Sequence, residues 1–184
     1  MINNREEAAR LAEASTTNVP GACQAWTRQK FNAPSAGDQD HDGDADAVDG
    51  WKSEPVGSRH TDRHPPRGVP VSWAGGSKGH GHRAVSLGGG KIRTSDGAGA
   101  GHVATRDLSW PETQWGLRYL GWSDTIDGLT IPIPPKPVLT RGARVDSAIK
   151  SLTKARNSAK SRRRKLLLNA ALTSLKQIKQ VPKK

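Results

Sequence analysis

A run of prolines, Ile131-Pro132-Ile133-Pro134-Pro135-Lys136-Pro137, divides this chain into two parts that cannot share one fold. Each proline fixes φ and removes a backbone donor, so the run reads as a stiff, extended linker. Beyond it, Arg141 to Lys184 carry 14 Lys/Arg against one acid, Asp146, a net charge of +13. The 140 residues before that tail carry 15 Lys/Arg and 16 Asp/Glu, a net of −1. The basicity is therefore a tail property, and the asymmetry points to two functional units. With 33% hydrophobic residues, the core of the larger unit is small. No run reaches a membrane-spanning length, and the polar start Met1-Ile2-Asn3-Asn4-Arg5-Glu6-Glu7 is no secretory signal. A protein made in the cytoplasm is expected.

The neutral part reads as a mixture of helices and strands, an α+β fold. Residues 3–14 form a short helix, with Ala8, Leu11 and Ala12 at helical spacing. A second helix starts at Cys23, presents Trp26 and Phe31 to a core, and ends before Pro34. Val69-Pro70-Val71-Ser72-Trp73 alternates as a strand, with Pro70 at an edge or a strand start. Pro111 to Leu117 reads as a short helix, and 118–131 as closing strands. Trp110, Trp115 and Trp122 are expected in the core. Trp51 and Trp73 are nearer the proposed cleft. In the tail, Val145, Ile149 and Leu152 mark one helix; Leu168, Leu172, Leu175 and Ile178 mark another, giving a helical hairpin over 141–184.

Cys23 is the sole cysteine, so no internal disulfide exists. A thiol at a helix start meets unpaired N–H groups and the positive end of the dipole, which favour thiolate. Its base is sought in Gly81-His82-Arg83-Ala84-Val85-Ser86-Leu87-Gly88-Gly89-Gly90-Lys91-Ile92-Arg93-Thr94-Ser95-Asp96, a three-glycine turn between two alternating runs. A turn centred on Gly89 pairs Leu87 with Lys91, Val85 with Arg93, and His82 with Asp96. Opposed Cβ atoms lie about 4.5–5.5 Å apart, close enough for a carboxylate to orient an imidazole. A bulge would spoil that register. Alternation puts His82 on the face opposite Val85 and Leu87, where it is expected to meet the Cys23 helix.

These residues resemble the CHAP and NlpC-type cysteine peptidases and amidases of bacterial cell-wall degradation, as found in phage lysins (endolysins). Gly21-Ala22-Cys23-Gln24-Ala25-Trp26 matches the nucleophile element, and Gly81-His82-Arg83-Ala84-Val85 the base element. Asp96, or second to it Thr94, falls at the orienting position. The resemblance covers 19–131 and implies a papain-like domain with the Cys helix packed on a small antiparallel sheet. It implies a peptidoglycan hydrolase cleaving an amide of the wall peptide, a cysteine peptidase or N-acetylmuramoyl-L-alanine amidase. Cys23 would be the nucleophile, His82 the base and Asp96 its orienter. Ala22 stands where such domains often carry Gln, leaving Asn18 or backbone N–H groups as oxyanion donors. Such an enzyme is made in the host cytoplasm and acts at the wall, released by a holin or carried in the virion.

Asp38-Gln39-Asp40-His41-Asp42-Gly43-Asp44-Ala45-Asp46-Ala47-Val48-Asp49 fits the EF-hand loop template, with Asp for Glu at the twelfth position. Asp38, Asp40, Asp42, Asp44, Asp46 and Asp49 are candidate ligands for a structural Ca²⁺. Gly50 and Pro55 argue for a lone loop without a full exiting helix. A rival metal reading takes His60, His64, His80 and His82 as zinc ligands. The tail lacks aromatic residues, so base stacking is excluded, and adhesion to anionic wall polymer or membrane is favoured over nucleic acid. The alternative class is a non-enzymatic virion or nucleic-acid-associated protein acting through that tail.

Overall fold

The computed structural model describes residues 1–134, 141–159 and 161–180. They form two compact units, Met1–Pro134 and Pro135–Lys184. The expected linker, 132–140, lies largely outside the described residues.

The first unit is α+β. Helix α1 (Arg5–Ala14) starts because the Asn4 side chain accepts from the Glu7 N–H, and Glu6 and Glu7 favour the positive helix end. Its Ala8, Ala9 and Ala12 are fully buried, small enough to let the helix lie close to the sheet. Helix α2 (Cys23–Lys30) has no side-chain cap, so its first N–H groups stay available. Arg28 and Lys30 in its last turn suit the negative end. Helix α3 (Ala47–Lys52) is set by a reciprocal capping box between Asp46 and Asp49.

The strands are β1 (Arg59–His60), β2 (Pro70–Ala74), β3 (His82–Gly88), β4 (Lys91–Thr94), β5 (Ala104–Asp107), β6 (Arg118–Ser123), β7 (Thr125–Ile126) and β8 (Leu129–Thr130). Helix α4 (Trp110–Trp115) lies between β5 and β6. Six strands form one antiparallel sheet in the order β1-β6-β2-β3-β4-β5, while β7 and β8 make a separate ribbon. Pro70 opens β2, a central strand, where its missing N–H falls at the start of the ladder.

Alternation along β3 divides the core. Val85 joins Ala8, Ala12, Trp26 and Phe31 beneath α1 and α2. Ala84 joins Val71, Trp73, Ile92, Leu117 and Trp122 on the opposite face. The β3–β4 register places Val85 opposite Arg93, as the glycine turn predicts. Nearer the turn a bulge sets Gly88, and not Leu87, against Lys91. At the other end β4 stops at Thr94, and the chain turns away through Asp96 at φ +55°.

In the second unit, α5 (Arg141–Ser158) and α6 (Arg162–Gln180) pack on one another, with Ala159 and Leu172 buried. Leu166 and Leu167 are exposed. Among the described residues, no helix is long and apolar enough to cross a membrane.

Candidate active site

Cys23 occupies the first position of α2 and is 8% exposed. Its sulfur faces the backbone N–H groups of Arg83 and Gln24. Burial nevertheless dominates and pushes the thiol up to about 11, with Asp96 and Asp46 adding to the rise. At neutral pH Cys23 is a thiol, not the thiolate that the helix dipole alone would favour.

His82, 5% exposed, opens β3, immediately before Arg83. The preceding Gly81 is needed there: its φ is +69°, and a Cβ would lie 2.3 Å from the Trp73 carbonyl oxygen. The imidazole lies on the Trp73 side of the sheet, its ring 6.0 Å from Trp73 and 4.9 Å, edge to face, from Trp115. This corrects the expected face. Val85 packs under α2, so His82 points to the other side, and Cys23 approaches it only around the end of β4. Among the described residues, no hydrogen bond joins the Cys23 sulfur to His82.

The orienting group differs from the one first expected. His82 Nε2 lies 2.6 Å from Thr94 Oγ1, and that hydroxyl is 3.1 Å from the Ser95 carbonyl oxygen. A carbonyl only accepts, so the arrangement satisfying all three groups sends the Thr94 proton to Ser95 and has Nε2–H donate to Thr94. The lone pair is then on Nδ1, the atom left to act as base. Burial lowers His82 to about 4, against a smaller opposing effect of the Asp96 charge.

Asp96 is not the imidazole's hydrogen-bond partner. Because the chain turns left-handed there, its carboxylate accepts from Gly21 N at 3.0 Å, Gly101 N at 2.7 Å and Asn18 Nδ2 at 3.1 Å. It ties down the segment leading into Cys23. Asn18 donates to Asp96 and to the Val19 carbonyl, so it is not an open oxyanion donor. The helix-start N–H groups remain for that task.

Beside Cys23 lies a cleft of about 460 Å³, bounded by Gln24, Asp44, Asp46, Lys78 and His80. The acidic loop thus forms one wall. Asp38 accepts from the N–H groups of His41, Asp42 and Gly43. Asp49, almost fully buried, closes the loop by accepting from Gln39, Asp40 and Asp46. The candidate ligands do not converge on one point. Asp38, Asp40 and Asp49 present oxygens within 4.8 Å of one another, and Asp42 and Asp46 do so with His80. Asp44 belongs to neither group. The first set, all carboxylate oxygen, fits a hard divalent cation. An exiting helix does follow, as the six-residue α3.

The zinc reading is not supported. His60 stacks on Trp122 and bonds Asp124, while His82 bonds Thr94. His64 sits beside Asp62, and none of the candidate metal groups among the described residues unites these histidines. Trp122 and Trp73 are buried, but Trp115, expected in the core, is 37% exposed beside His82. The sequence gave no signal for that placement, since α4 carries Trp110 and Trp115 on neighbouring turns without an alternation to orient them. No family model, curated protein or solved structure matches the chain.

Proposed function

We propose that the first unit is a peptidoglycan hydrolase of the CHAP/NlpC type, papain-like in plan, cleaving an amide of the wall peptide. The supporting observation is the placement of the Cys23 sulfur at the start of α2, against the N–H next to His82 and on an open cleft. With the thiol protonated and the imidazole neutral, the reaction begins from a neutral pair. As Cys23 Sγ attacks the amide carbonyl carbon, His82 Nδ1 takes the thiol proton. That proton passes to the leaving amine as the C–N bond breaks. Water, deprotonated by His82, then releases the acyl group and restores the thiol. Thr94 holds the ring throughout, and helix-start N–H groups face the developing oxyanion. Bringing Cys23 and His82 into contact around the end of β4 is the motion that substrate binding must supply.

Asp38, Asp40 and Asp49 would hold Ca²⁺, whose role is to neutralise the carboxylates and stiffen the cleft wall. The basic unit supplies adhesion to anionic wall polymer or membrane, suiting a phage lysis enzyme or virion-borne protein. Purified protein is expected to clear cell walls and Cys23→Ala to do so at background rate, with mass spectrometry of the products identifying the amide. Equal clearing by both proteins, or by neither, would sink the enzyme reading. One observation favours a second reading: the +13 unit is compact by itself, as a non-enzymatic virion or nucleic-acid-associated protein would require.

A further inference from the structure

Behind the cleft lies a charged cluster that the reaction above does not use. Arg83, Glu54 and Asp127 have side chains 0%, 0% and 1% exposed. Arg83 Nη2 pairs with Glu54, and Nη1 with Asp127 Oδ1 at 2.6 Å. Gln24 completes the set: its Oε1 accepts from Arg83 Nη1 at 3.2 Å, and its Nε2 donates to both Asp127 oxygens at 2.8 and 3.0 Å. Glu54 also accepts from the Thr125 hydroxyl and from the N–H groups of Asp127 and Gly128. Space for the cluster comes from Gly50 in α3, where a Cβ would sit 2.3 Å from Arg83 Nη1 and 2.5 Å from Gln24 Nε2.

Stability alone does not account for it. Two carboxylates and one guanidinium leave a net formal charge of −1 in the interior, and Arg83 Nε has no hydrogen-bond partner. Well-packed apolar side chains of similar volume commonly do as well or better. What the cluster does provide is a position. Gln24 follows Cys23 on α2, and Arg83 follows His82 on β3. Joining the two fixes, within one bond of chain on each side, where the nucleophile sits along the strand that carries the base. A second tie, Thr27 Oγ1 to the Arg83 carbonyl at 3.1 Å, runs parallel one turn along α2.

We propose that the Gln24–Arg83–Asp127–Glu54 cluster is a positioning device that sets the Cys23 sulfur beside His82. This rests on Cys23 being the nucleophile. None of the four touches substrate. Gln24→Leu cuts the link to α2 and leaves both ion pairs intact. Two readouts follow: kcat and KM on a stem peptide, and the rate of Cys23 alkylation by iodoacetamide at neutral pH, which needs no substrate turnover. The expected results are a kcat lower by roughly 10- to 100-fold with little change in KM, and loss of the effect that His82→Ala has on alkylation in the wild-type background. Should Gln24→Leu fail to fold, Gly50→Ala pushes one methyl into the cluster and is expected to act in the same direction. A kcat and a His82 dependence of alkylation that both stay at wild-type values in a folded variant overturn the proposal, even if Tm falls. So does alkylation of the wild type that ignores His82. If wild type turns over no peptide, the hydrolase reading fails, and alkylation alone decides for or against the positioning device.

Discussion

At the scale of single residues, burial governs the chemistry. The lowered His82 and raised Cys23 each make stability depend on pH, with opposite signs. The native state resists protonating His82, whose value falls from 6.5 to about 4. Its contribution is full above 6.5 and is lost as pH falls toward 4, amounting to about 3 kcal/mol. The native state also resists ionising Cys23, raised from 9.0 to about 11. That contribution is full below 9 and is lost as pH rises toward 11, again about 3 kcal/mol. Thermal melts are therefore expected to show a plateau between these limbs, with His82→Gln flattening the acid limb and Cys23→Ser the alkaline one. Thr94→Val keeps the shape and removes the acceptor for His82 Nε2–H; wall-peptide cleavage should drop roughly 10- to 100-fold, read as kcat. A wild-type kcat in Thr94→Val would return the orienting role to another group. Thr94 was legible only as a second choice, because register counting assumes that the ladder continues. It ends at Thr94, and the left-handed turn at Asp96 takes the carboxylate to Gly21 and Gly101.

At the scale of elements, local pattern carried most of the reading. The three-glycine turn gave the Val85–Arg93 pairing, and Cys23 does open a helix. The face was not legible: Val85 and His82 are on opposite sides of β3 by parity, but only tertiary packing decides which side α2 covers. The acidic loop was legible as a loop, yet Asp49 spends both oxygens on backbone N–H groups and His80 enters from a distant segment. A cation at Asp38, Asp40 and Asp49 would relieve carboxylate repulsion and hold α3 at its capped start. Adding millimolar Ca²⁺ after chelation is expected to raise Tm by several degrees, roughly 2–4 °C per kcal/mol of binding free energy. Asp38→Ala should abolish the rise. A Tm unmoved by Ca²⁺ in the wild type counts against the loop as a metal site.

At the scale of the whole molecule, the two units are separable predictions. Residues 1–134 contain their own core clusters and all of the candidate site. A chain ending at Pro134 should fold, retain cleavage of a soluble stem peptide, and lose retention on intact walls in a pull-down at low salt. Unchanged retention would remove adhesion from the basic unit. The buried cluster was invisible to local pattern for a plain reason: Arg83 meets Glu54 across 29 residues and Asp127 across 44, while Gln24 meets Asp127 across 103. Those separations also set an order of events. Cys23 and His82 emerge from the ribosome well before Asp127, and long-range closure comes late in folding. An unfinished chain, or one clipped ahead of residue 124, holds both reactive groups without the acid that fixes their spacing. The thiol is thus armed by completion of the domain, which keeps a growing hydrolase inert inside the cell that makes it.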